Sequence, residues 1–236
     1  MNLSVKNKGI ENPFDLDFQV YTSQEIAEEK SWIICVQSGK TSMITDQTKD
    51  NLMFDYIDEQ LGEEVIVVRL DFPEKDNDQV SLENDVENRA ERLAIVIDAV
   101  LTKNPSDISL IGVSLGSITI LKILMQSWAV HYKFKHCYFV SLVLEYPVNI
   151  YASIDSITLF YGGDDYIAYV ESEGKNVQNV VQPDVYGELT NSFLNSRPNT
   201  DKKLLIFEKH NHYLWHSDQK FNAFLNELKN LNFENK

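Results

Sequence analysis

Residues 108–118 read Ile108-Ser109-Leu110-Ile111-Gly112-Val113-Ser114-Leu115-Gly116-Ser117-Ile118, an apolar run that passes through Gly112-Val113-Ser114-Leu115-Gly116 into a helical pattern. Ile108, Leu110 and Ile111 have the character of a central parallel strand covered on both faces. From Leu115 onward, Ile118, Ile120, Leu121, Ile123, Leu124 and Met125 are apolar almost all round, as in a helix buried between a sheet and its neighbours. A serine between two glycines at such a strand-to-helix junction has the pattern of a nucleophile elbow. There, a side chain at Gly112 or Gly116 would collide with neighbouring backbone.

Working outward, strands and helices alternate. Residues 18–22 read as an early strand, and 32–36 as a stronger one. Residues 46–61 read as a helix with Leu52, Tyr56, Ile57 and Leu61 on one side and Gly62 as its stop. A buried strand over 65–70 ends at Asp71-Phe72-Pro73. Residues 81–103 form a long amphipathic helix, with acidic Glu83 and Asp85 in its first turn and Asn104-Pro105 at its end. Further strands follow over 139–144, 157–161 and 203–207, and Phe221, Phe224, Leu225 and Leu228 mark a closing helix. Strands separated by helices of this length predict an α/β fold, with a mostly parallel central sheet, helices on both faces, and function at the strand C-terminal ends. No linker or internal repeat divides the chain, so residues 1–236 are expected to form a single domain.

The 236 residues carry a formal charge of −15, which argues against nucleic acid and anionic membrane surfaces as partners. Residues 1–10 are polar and hold Lys6 and Lys8, without the apolar core of a secretion signal, and no apolar run approaches membrane-spanning length. The expected setting is the cytoplasm. Cys35 and Cys137 fall in strand-like runs and read as small buried hydrophobes, implying no disulfide framework.

The element order, the elbow and a later acid and histidine resemble the α/β-hydrolase superfamily over residues 30–230. The resemblance implies a serine hydrolase fold with the order serine, acid, histidine. Ser114 then needs a base to take its proton and an acid to orient that base. Strand 157–161 runs into Gly162-Gly163-Asp164-Asp165, similar to the family's acid turn, in which the aspartate stands three residues after a glycine. That spacing selects Asp165. Asp164 is the neighbouring candidate, and Glu145, one strand earlier, is another. After the last strand, His210-Asn211-His212-Tyr213 offers two bases, and the family pattern of a histidine followed by an aromatic or small residue favours His212 over His210.

The oxyanion hole departs from the family. Leu115, next after the nucleophile, supplies one backbone N–H. Where many relatives have His-Gly, this chain has Gln37-Ser38-Gly39-Lys40, which makes Gly39 the second donor, with Lys40 next in line. The spacing of His210, His212 and His216 matches no zinc pattern, so neither a metal nor a cofactor is expected. His131 and His136 read as structural or exposed.

The leading expectation is hydrolysis of a carboxylic ester or thioester, a small-molecule acyl substrate, through an acyl-serine. Two further readings are a serine peptidase or acyltransferase on the same triad, and a non-catalytic hydrolase-like binding protein. No large cap is expected between the strands near 139–147 and 157–161. Residues 168–200 are read as a possible small cover over the site.

Overall fold

The computed structural model describes residues 2–3, 20–22, 30–39, 48–70, 72, 82–144, 147–163, 165, 187–195 and 200–233. The strands are β1 (Asn2–Leu3), β2 (Val20–Thr22), β3 (Ser31–Val36), β4 (Val65–Leu70), β5 (Asp107–Val113), β6 (Lys133–Val140), β7 (Ser153–Gly162) and β8 (Asp201–Phe207). The helices are α1 (Lys49–Leu61), α2 (Leu82–Leu101), α3 (Leu115–Leu124), α4 (Gly187–Asn195) and α5 (Asn222–Phe233). These eight strands join one sheet in the order β1-β2-β4-β3-β5-β6-β7-β8. The six from β4 to β8 are parallel, whereas β2 pairs antiparallel with β4, and β1 antiparallel with β2.

Side chains alternate across a strand, so each central strand feeds two cores. Trp32, Ile34 and Val36 of β3 pack with Leu93, Ile97, Ile120 and Leu124 of α2 and α3. Ile33 and Cys35 face the other way, onto Phe54 and Ile57 of α1 and Phe221, Phe224 and Leu228 near or within α5. Both faces of β5 are apolar for this reason.

The element boundaries depart from the sequence expectation in an instructive way. β6 ends at Val140 rather than 144 and begins at Lys133, and β7 begins at Ser153 rather than 157. In each strand the first residues alternate between exposed and buried: Lys133 and Lys135 lie outside while Phe134 is in the core. An apolar run marks only the half of a strand that is covered on both faces, so the half-exposed beginnings escape it. The same holds for His136, which belongs to β6 rather than to the connection before it; its Nδ1 lies 2.7 Å from Ser156 Oγ, and its ring stacks on Tyr138. Helix α1 starts at Lys49 because Thr48 is its N-cap, accepting from Asn51 N at 3.4 Å.

Residues 141–152 are the whole link from β6 to β7, and none of those described is helical. Of residues 168–200, α4 packs Phe193 against Phe139 within the core on the α2 and α3 side. That helix is therefore part of the core packing, and most of the remaining stretch lies outside the described residues. No helix among the described residues is long and apolar enough to cross a membrane.

Cys35 and Cys137 are free and buried. Burial pushes the Cys35 thiol up to about 12; Arg69 opposes this and Asp58 adds to it. Because the thiolate is the reactive form, Cys35 is expected to resist alkylation in the native protein at pH 8 and to react within minutes in denaturant. Mass spectrometry of iodoacetamide-treated protein checks this, and rapid native labelling of Cys35 would contradict it.

Candidate active site

Ser114 stands between β5 and α3 with φ 53° and ψ −114°, a conformation that costs a non-glycine residue about 1–3 kcal/mol. The surroundings hold it there. Ser114 N donates to the Val140 carbonyl at 2.8 Å, and the amides of Ser117 and Ile118 both reach back to the Ser114 carbonyl. The two glycines are dictated by close approach of backbone. A Cβ on Gly112 would lie 2.6 Å from Gly116 C and Ser117 N, and one on Gly116 would lie 2.2 Å from the Val36 carbonyl oxygen and 2.6 Å from that of Gln37. Gly116 thus lets α3 begin directly against the end of β3.

The candidate acid and base follow β7 and β8. β7 ends at Gly162, and Asp165 lies just beyond, its N–H donating to the Gly162 carbonyl at 3.2 Å. His212 follows β8. His212 Nδ1 is 2.8 Å from Asp165 Oδ2 and 3.0 Å from Oδ1, and both residues are buried. A Cβ on Gly162 would lie 2.3 Å from the carbonyl oxygens of both His210 and Asn211, so this glycine admits the histidine loop against the strand end.

Three further residues, of which Ser141 and Asn211 are unmarked by any motif, shape that loop. Ser141, itself at φ 50°, donates its hydroxyl to the His212 carbonyl at 2.7 Å. Since Val140 accepts from Ser114, one dipeptide at the end of β6 ties the serine turn and the histidine turn together. Asn211 Oδ1 accepts from the amides of Tyr213 and Trp215, closing the turn after His212. Tyr213 sets its ring edge-on to His212 at 5.2 Å. Burial raises the Tyr213 phenol above its ordinary range, with Asp50 and Asp165 adding to the effect and Ser38 opposing it.

His210 is placed elsewhere. Its Nδ1 pairs with the Glu208 carbonyl at 2.7 Å and its ring lies beside Phe207 and His216, so it does not meet Asp165. Asp164, Glu145 and Lys40 lie outside the described residues. Among the described residues no three His, Cys, Asp or Glu side chains converge as metal ligands.

Gly39 packs against Leu115: a Cβ at position 39 would lie 2.8 Å from Leu115 Cδ2. Ser38 N donates to buried Asp50 at 2.7 Å. Among the described residues neither the Gly39 nor the Leu115 N–H has a hydrogen-bond partner. Ser114 Oγ and His212 Nε2 are likewise without one there.

No protein-family model matches the chain, and no curated protein matches its sequence. Its fold is similar to that of solved structures. One is Thermogutta terrifontis esterase 2 phosphorylated by paraoxon, at TM-score 0.60 and 12% identity, covering 91% of this chain and 87% of that one. A serine hydrolase without lid from Xanthomonas campestris gives 0.55 and 14%, over 91% and 87%. Dienelactone hydrolase from Anabaena variabilis gives 0.58 and 11%, over 92% and 91%. The chain has the α/β-hydrolase fold.

A methyl group at position 116 has only backbone to push against. Gly116→Ala is expected to cost about 1–3 kcal/mol or more of stability, whereas Gly39→Ala, which meets the movable end of the Leu115 side chain, should cost less. Urea denaturation of both variants checks the order, and equal midpoints would contradict it.

Proposed function

We propose that the protein is a serine hydrolase that cleaves a small carboxylic ester or thioester through an acyl-serine at Ser114. The observation that carries this reading is the buried pairing of Asp165 with His212 Nδ1, tied through Val140-Ser141 to the turn of a serine held at positive φ. With Nδ1–H donated to the carboxylate, Nε2 is left as the proton acceptor. In the first half-reaction Ser114 Oγ attacks the acyl carbon and passes its proton to His212 Nε2. The tetrahedral oxyanion is stabilised by the N–H groups of Leu115 and Gly39, and the imidazolium by Asp165. His212 then returns the proton to the departing alcohol or thiol. Water repeats the sequence on the acyl-serine: His212 takes its proton, the carboxylic acid is released, and Ser114 is restored.

A fluorophosphonate is expected to form its adduct on Ser114, and Ser114→Ala and His212→Ala should lose labelling while remaining folded. Among the acids, Asp165→Asn should lower turnover by about 10⁴, the loss typical when the orienting carboxylate goes, and Asp164→Asn or Glu145→Gln far less. An adduct at another residue, or none on folded protein, would favour a ligand-binding role. A nearly active Asp165→Asn enzyme would move the acid to Glu145.

The short β6–β7 link supports an open site for small acyl groups. The overall charge of −15 discourages polyanionic substrates such as acyl-coenzyme A. Arg69 offers such substrates no free cation, being buried and paired with Asp55 at 2.7 Å. Short-chain neutral aryl esters should therefore show a higher kcat/KM than long-chain ones, with no activation at a lipid interface. A chain-length series tests this; an optimum at long acyl chains would require an apolar tunnel.

A further inference from the structure

Arg89 lies on α2 and is only 1% exposed. Its Nε donates to Asp85 Oδ1 at 3.0 Å, one helical turn earlier, and its guanidinium sits over the Phe72 ring at 4.5 Å. Its Nη1 reaches out of the helix to the carbonyl oxygens of Gln37 and Ser38, at 3.5 and 3.4 Å. These are long contacts, but they come from a full charge in a dry setting.

As a stabilising device the pair is poor. Both side chains give up hydration, and Asp85 Oδ2 has no hydrogen-bond partner among the described residues. Removing two charges from water costs several kcal/mol per ion unless the remaining lone pairs are satisfied. What the arrangement does provide is a grip on the loop after β3.

That grip has a directional consequence. The Ser38 carbonyl and the Gly39 N–H are the two ends of one trans peptide and point in opposite directions. A carbonyl drawn toward α2 aims the Gly39 N–H away from α2, and a cation on the oxygen polarises the amide and strengthens its N–H as a donor. The preceding peptide is held at both ends, since its Gln37 carbonyl faces Arg89 and its Ser38 N–H donates to Asp50. The Gly39 N–H is the one left without a partner among the described residues.

We propose that Arg89, held by Asp85, is a positioning residue that aims and polarises the Gly39 N–H as the second oxyanion donor. This rests on the serine hydrolase reading for its catalytic consequence, though the aiming itself does not. Arg89 does not touch substrate; it acts through the peptide 38–39.

The test uses the full chain with Arg89→Met/Asp85→Leu, which replaces the ion pair by apolar side chains and is expected to keep or raise stability, together with Arg89→Lys. Two readouts are taken. In ¹⁵N-resolved spectra the Gly39 amide should shift upfield in the double variant, with Arg89→Lys between it and the parent. For a short-chain aryl ester, kcat should fall about 10- to 100-fold with KM changed less than threefold, below the 10²–10³ lost when an oxyanion donor is removed outright. Affinity for a boronic acid that mimics the tetrahedral anion should fall in parallel. A double variant that is folded, keeps the parent's Gly39 amide and turns over within threefold of it overturns the proposal, because the pair would then be structural only. A moved Gly39 amide in a protein whose parent form gives no Ser114 adduct would uphold the aiming and reject the hydrolase reading.

Discussion

The missing side chain at Gly116 is the constraint on which the site depends. With the Val36 carbonyl oxygen 2.2 Å from where a Cβ would stand, α3 begins in backbone contact with the end of β3. Two things follow from that closeness. Ser114 is forced into a tight turn at positive φ, and Leu115 is brought against Gly39. The strain at Ser114 is sustained by hydrogen bonds to Val140 and from Ser117 and Ile118, so rigidity of the sheet is converted into a fixed direction for one hydroxyl.

The other half of the site is built by a second close approach of the same kind. Gly162 lets the carbonyls of His210 and Asn211 press against the end of β7, while Ser141 fastens the His212 carbonyl to the end of β6. Between them the histidine loop has little freedom, and Asp165 meets an imidazole whose backbone is already placed. The Val140-Ser141 dipeptide touches both halves, giving the serine and histidine turns a common reference only two residues wide. Positioning through several backbone contacts of this sort suits a site in which an error of 1 Å is costly.

Legibility in the sequence followed the range of the interactions. The elbow was plain because its pattern is local: apolar strand, two glycines and an apolar helix lie within eleven consecutive residues, even though the Gly116 requirement is imposed by the end of β3. The separation of His212 from His210 rested on resemblance and on Tyr213, whereas in the structure it follows from which imidazole meets Asp165 and which turns to the Glu208 carbonyl. Ser141, Asn211 and Asp50 carried no motif, since a single polar residue at a strand end or in a first helical turn looks like any other. Strand starts at Lys133 and Ser153 were hidden because one of their faces is wet, and an alternation of four residues is a weaker mark than a solid apolar run.

By itself the sequence determined the α/β architecture, because burial on one or both faces imposes apolar periods that are written along the chain. It also marked the serine turn by a local pattern, although Gly112 answers to neighbours close in sequence and Gly116 to the distant end of β3, and it narrowed the candidate acid and base to a few residues. Only the tertiary structure decided which histidine meets the carboxylate, which amides near Ser114 stay without partners among the described residues, and that a buried cation on α2 grips the loop after β3. Those outcomes depend on contacts such as Arg89 with Ser38 and Ser141 with His212, separated by 51 and 71 residues. No local period or spacing carries such distances; they exist only once the sheet has brought the ends of its strands together.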